Sequence, residues 1–322
     1  MIKVLLIFLA LSVVSVVVLV FGPRPEISNP VRFEALLIGP DIENYVTTTE
    51  ARVSNLNPVA KKEIIWADPQ AKEKTELSIV YIHGFSGNKM ELRPVPDNVA
   101  NGFDANIFFS RLTGHGRNAE AMAESTMLDW MRDLSEAITI GERLGERVVL
   151  MATSSGAALA TYGMSDPNLS RNIAALVMVS PSYAIRGASI GLLNMPWGKT
   201  LLPLFMGRET RFAQTNDEMS SVWSEPYPIE AIFPLGAVMK AVSTIDVSEI
   251  STPALFVVSP DDKIISVQAV KNVFENWGGP KHFVEIPYSE NPAQYLLPDE
   301  NGNSITTAAM TEEIISWLEQ NK

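Results

Sequence analysis

The stretch Val148-Val149-Leu150-Met151-Ala152-Thr153-Ser154-Ser155-Gly156-Ala157-Ala158-Leu159-Ala160 carries the plainest chemical signal in this sequence. An apolar run of strand character passes through small-x-Ser-x-Gly directly into a helix of small residues. So sharp a strand-to-helix turn forces its serine into a strained backbone conformation, and it crowds strand against helix, so the neighbours must be small. The turn also sets the serine oxygen at a helix N-terminus, whose amides stabilise developing negative charge. That is an arrangement for nucleophilic attack on an acyl carbon, with Ser154 at the apex. Ala152 stands where the strict motif has glycine. Ser155 is the rival nucleophile, but it falls past the apex, where its part would be to supply a backbone amide.

Further motifs follow in a fixed order. After the first strong strand comes His83-Gly84-Phe85-Ser86, after the next Arg111-Leu112-Thr113-Gly114-His115-Gly116-Arg117, and after a later one Pro260-Asp261-Asp262-Lys263-Ile264-Ile265. Over residues 70–320 the chain resembles an α/β-hydrolase of the monoglyceride-lipase, carboxylesterase and serine-aminopeptidase group. The resemblance implies a mostly parallel central sheet with helices on both faces and a helical cap inserted between core strands. It implies that Phe85 and Ser155 offer backbone N–H groups to an oxyanion, and that His115 is structural. It also picks Asp262 as the acid of a triad, with Asp261 as its bystander; the bland reading of Asp261-Asp262 is a solvated turn.

The resemblance lacks one part. The family's histidine lies in the loop after the last strand, here Pro287 to Leu297, and that loop contains none. Tyr295 best fits the position. The chain has three histidines, His83, His115 and His282, and the last opens a strand at the end away from the chemistry. A serine hydroxyl is a poor nucleophile without a base beside it, and a phenol with a pKa near 10 is a poor base at neutral pH. Loss of one triad member costs on the order of 10⁴–10⁶ in rate. The chain is therefore a weakened enzyme, an enzyme that recruits another base such as Glu290, or a catalytically silent relative. The first reading is a serine hydrolase acting on small-molecule or lipid-like carboxylic esters with an apolar acyl part. The alternative is a binding protein that keeps the fold and has lost turnover. Three dispersed histidines and no cysteine offer no metal-ligand set, and no cofactor is expected.

The elements that must position these residues alternate as parallel α/β folds do. Apolar runs at 77–82, 106–112, 148–152, 175–180, 254–259 and 282–287 predict strands buried on both faces. Met127, Met131, Leu134 and Ile138 recur at helical spacing, which reads as core packing. A last helix runs from Thr311 to Glu319. Residues 22–76 form an N-terminal extension with first strands, and 77–180 with 248–322 form the core. Residues 181–247 show no strand and carry Leu192, Leu193, Met195, Trp197, Leu202, Leu204, Phe205, Met206, Trp223 and Phe233, which reads as a helical cap over the end of the sheet; most of these residues pack on the main domain and the rest are candidates to line an acyl pocket.

Composition narrows the class. The 322 residues allow one large α/β domain, and 46% apolar residues exclude a disordered chain. A net charge of −12 argues against a nucleic-acid partner. Without cysteine there are no disulfides, no thiolate metal site and no lipidated N-terminal cysteine. Residues 4–21 are apolar except for Ser12 and Ser15, just long enough for a hydrocarbon core of about 30 Å. They predict a single-pass anchor over 1–21, with the body outside the cytoplasm, in the periplasm or at the cell surface. A cleaved signal or a helix packed in the globule are the alternatives.

Overall fold

Backbone hydrogen bonds turn the apolar runs into β1 (Glu63–Ile65), β2 (Thr75–Ile82), β3 (Asn106–Phe109), β4 (Gly145–Thr153), β5 (Ile173–Val179), β6 (Glu209–Thr210), β7 (Tyr227–Pro228), β8 (Ala254–Val258) and β9 (Lys281–Glu285). The structure is a computed structural model that describes residues 12, 14–18, 20–187, 189–210, 226–289, 291, 293–297 and 304–321. Seven strands form one sheet in the order β1-β3-β2-β4-β5-β8-β9, and β6 pairs with β7 in a separate ribbon. Only β1 runs antiparallel to its neighbour in the large sheet. The longer helices are α1 (Ile42–Ala51), α2 (Val95–Gly102), α3 (Met127–Leu144), α4 (Ser154–Met164), α5 (Gly198–Met206), α6 (Ile232–Val242), α7 (Val267–Asn276) and α8 (Ile305–Asn321).

Successive strand residues point to opposite faces, so a strand covered on both sides must be apolar at every position. Val80, Ile82, Leu150, Met178 and Phe256 lie in one core with α3, α4 and α6. Ile79, Tyr81, Val149, Met151, Val177 and Leu255 lie in a second, under α2 and α8. Met127 and Met131 are buried in the first core, as their helical spacing requires. Helix α3 starts at a reciprocal cap, in which the Thr126 hydroxyl accepts from Asp129 N and the Asp129 carboxylate accepts from Thr126 N. Strand β3 stops at Phe109 rather than 112. Ser110 N still donates to Tyr81 O at 3.1 Å, and beyond it Leu112 N turns to His83 Nε2 at 3.0 Å and Thr113 N to Asp133 Oδ2 at 2.5 Å. Between β5 and β8 the chain holds α5, α6 and the short β6–β7 ribbon. The expectation of no strand there is corrected, because two-residue strands carry no periodic signal.

The anchor over residues 4–21 is also corrected. Among the described residues no helix is long and apolar enough to cross a membrane. The placement in the periplasm or at the cell surface, which rested on that anchor, falls with it. Residues 1–11, 13 and 19 lie outside the described residues. The described end of the apolar run docks on the body: the Trp197 indole N–H donates to Val18 O at 2.8 Å, and Trp197 N donates to Pro23 O at 2.8 Å. Among the described residues of the run, Val14, Val16, Val17, Val20 and Phe21 are exposed, and Val18 is held by Trp197.

The turn between β4 and α4 is the tightest approach near the carboxyl edge of the sheet. A Cβ on Gly156 would stand 2.3 Å from His83 O and 2.7 Å from Ile82 O, so α4 meets the end of β2 backbone to backbone. Gly156→Ala is expected to cost about 1–3 kcal/mol through overpacking, read from the denaturant midpoint. A change below about 0.5 kcal/mol would mean that the turn relaxes freely.

Candidate active site

Ser154 is the first residue of α4 and has φ 53°, a left-handed conformation that costs a side-chain-bearing residue roughly 1–2 kcal/mol. Held against Gly156 and the end of β2, it is 4% exposed. Its carbonyl accepts from Ser182 N at 3.0 Å. Ser155 is buried one residue along, and its hydroxyl has no hydrogen-bond partner. The turn therefore presents the serine that the sequence motif singles out.

The loop after β2 is fastened by His83. Its Nε2 accepts from Leu112 N, and its Nδ1 donates to Gly84 O at 2.8 Å, so the ring serves as the neutral Nδ1–H form. Burial pushes its pKa down to about 4, and the nearby Arg111 charge adds to this. His115 is driven well below the usual range by burial and by His83, whose ring centroid is 4.9 Å away. Phe85 is buried with its ring 5.1 Å from Tyr227 and 6.0 Å from His115. His282 is exposed and pairs with Leu255 near the start of β8, at the sheet edge opposite the Ser154 turn. His83 thus holds the backbone together, and His282 lies at the wrong edge for chemistry.

Asp262 sits in the turn after β8 and is 2% exposed, while its neighbour Asp261 is exposed. Its Oδ1 accepts from Ile264 N at 2.7 Å and Ile265 N at 2.9 Å, and Oδ2 has no partner. Burial pushes its pKa up to about 6, against the pull of those amides, of Ser180 and of the Arg186 charge. The loop after β9 comes to this turn through Lys263 N, which donates to Ala293 O at 2.9 Å. Ser289 Oγ donates to Tyr295 O at 2.8 Å and fixes the residue that follows. Tyr295 is buried. Its phenol is pushed well above 10 by burial and by the charge of Glu91, while a hydrogen bond with the Ser154 hydroxyl pulls the other way and Asp262 adds to the rise. Tyr295 thus interacts with Ser154, Asp262 acts on Tyr295 through its charge, and Glu290 lies outside the described residues.

One residue of the site has no sequence signal. Glu91, in the short turn Lys89–Glu91, is 3% exposed. Its Oε2 accepts from Gly84 N at 2.5 Å, and its Oε1 has no partner. Beside the site a cavity of about 330 Å³ is lined by Ile185, Leu193, Leu202, Tyr227, Ile232 and Leu235, with Arg186 and Lys263 at its polar side. Leu204 and Phe205 point outward instead, and Trp223 lies outside the described residues. Among the described residues no three or more His, Asp or Glu side chains gather in a way that would hold a metal ion.

Residues 79–296 match the model of the alpha/beta hydrolase family. A thermostable monoacylglycerol lipase from a Bacillus species is 23% identical over 202 residues, which is 62% of this chain and 76% of that protein. Among solved structures, a metagenome-derived lipolytic enzyme from a study of LipS and LipT aligns with a TM-score of 0.62 at 17% identity, covering 82% of this chain and 99% of that one. A soluble variant of Saccharomyces cerevisiae monoglyceride lipase in complex with a substrate analogue aligns with a TM-score of 0.59 at 13% identity, covering 81% and 91%. With the family's motifs on one continuous match and the serine turn at its centre, the chain belongs to the alpha/beta hydrolase family.

Proposed function

We propose that this protein is a serine hydrolase that cleaves carboxylic esters with an apolar acyl part through an acyl-enzyme on Ser154. The observation that carries the reading is Ser154 at positive φ at the start of α4, with the Tyr295 phenol interacting with its side chain. Ser154 Oγ attacks the ester carbonyl, and the backbone N–H groups of Phe85 and Ser155 receive the oxyanion. Asp262 compensates charge on the side of Tyr295. The segment 181–247 acts as a cap, and its cavity of about 330 Å³ takes the acyl group. The names of the similar proteins support an ester or lipid-like substrate.

A silent relative is the second reading, and the state of Tyr295 favours it. Burial moves the phenol further from ionisation, so it cannot take a proton at neutral pH. Fluorophosphonate labelling read by intact mass separates the two. Ser154→Ala is expected to abolish labelling and Ser155→Ala to retain it; the reverse would move the nucleophile by one residue. Tyr295→His is expected to raise ester hydrolysis at least roughly tenfold, since a positioned general base is worth 10²–10⁴. An unchanged rate in a folded variant would remove Tyr295 from the histidine position.

A further inference from the structure

We infer that Glu91 is the proton acceptor for Ser154, so that the base enters from the loop after β2 instead of the loop after β9. This rests on the reading of Ser154 as a nucleophile. The geometry turns on Gly84. A Cβ there would stand 2.7 Å from Glu91 Oε1 and 3.0 Å from Ser154 Cβ, so the carboxyl and the serine side chain share the space that one missing methyl leaves. Oε2 is held by Gly84 N at 2.5 Å, with the Tyr81 hydroxyl at 3.5 Å, while Oε1 has no hydrogen-bond partner, so the transfer requires the Ser154 hydroxyl to turn from Tyr295 towards Oε1 across Gly84.

A buried carboxyl without a cation is costly, and the hydrogen bonds on Oε2 leave Oε1 unsatisfied. The cations nearest in sequence are engaged elsewhere: Lys89 with Glu63 at 2.8 Å, and Arg93 with Glu63 at 3.0 Å and Asp97 at 2.5 Å. The titratable groups facing Glu91 are Tyr81 from β2 and Tyr295 from the loop after β9, and both keep their protons far above neutrality. Burial pushes Glu91 up to about 8, against the pull of Gly84 N–H and Tyr81. A carboxylate in that range is a far better base near neutral pH than an exposed one.

In the step, the Ser154 O–H bond breaks as Oγ bonds the acyl carbon, and the proton passes to Glu91 Oε1. The carboxylic acid then returns it to the departing alkoxide as the ester C–O bond breaks. Water repeats the cycle to release the acid. Atoms and charge balance without a further reactant.

The test is the rate of fluorophosphonate labelling of the full chain between pH 6 and 9.5. The wild-type rate is expected to rise through about pH 8 and then level. Glu91→Gln is expected to cut it roughly a hundredfold or more and to abolish the rise. Glu91→Asp, which withdraws the acid by one methylene, tests the same point if the glutamine variant does not fold, and its rate is expected to fall while a pH-dependent rise remains. Thermal unfolding gives a second readout. Folded Glu91 holds a proton that the unfolded chain releases near 4.5, so wild-type stability falls from pH 6.5 to 8, and this fall is absent in Glu91→Gln. Strong wild-type labelling with an unchanged rate and pH profile in folded Glu91→Gln would overturn the assignment and leave the hydrolase reading intact. No labelling of folded wild type at any pH would overturn both.

Discussion

The backbone contact between the first turn of α4 and the end of β2 is the constraint from which the site is built. Gly156 lies against the carbonyls of Ile82 and His83, and no side chain fits between them. That approach holds Ser154 in its left-handed conformation and brings the loop beginning at His83 alongside it. Parallel strands end at one edge of the sheet, so the turn after β8 and the loop after β9 arrive at the same place. The large two-sided core behind the turn supplies the stability against which this local strain is held.

Charge is distributed in an unusual way around that turn. The chain carries a net −12, and its most buried ion pairs are Arg111 with Glu50 and Lys62 with Glu136, with Lys89 paired to Glu63. Near Ser154 the groups are held in their uncharged forms by burial. His83 and His115 are neutral, Tyr81 and Tyr295 keep their protons, and Glu91 is mostly protonated at neutral pH. Asp262, with two backbone amides on Oδ1, is the acid that ionises first. Asp262 with Arg186 beside it, and the backbone dipoles at the start of α4, are then the electrostatic influences on whatever binds there.

The sequence made the strands legible wherever burial on both faces suppressed polar alternation, as in β2, β4, β5 and β8. Strand β1 was not legible, because three half-buried residues at an antiparallel edge carry no period. The serine turn was readable from local spacing alone. Tyr295 was readable only by its place in a known order of motifs, since a tyrosine has no spacing signature of its own. Glu91 was invisible, because its relation to Ser154 runs through a third residue, Gly84, in three-dimensional contact. The apolar N-terminal run misled because hydropathy alone does not make a spanning helix: among the described residues none is long and apolar enough, and the contact of Trp197 with Val18 is a tertiary fact.

Those hydrogen bonds bear on access to the cavity. Trp197 immediately precedes α5, which contributes Leu202 and Met206 to the cavity wall. Any outward swing of α5 that carried Trp197 with it would release Val18 O and Pro23 O together, at about 1 kcal/mol for each hydrogen bond. The N-terminal stretch and the wall of the cavity are thus thermodynamically linked. Val18 and Pro23, which line no part of the cavity, are tied through Trp197 to the helix that does.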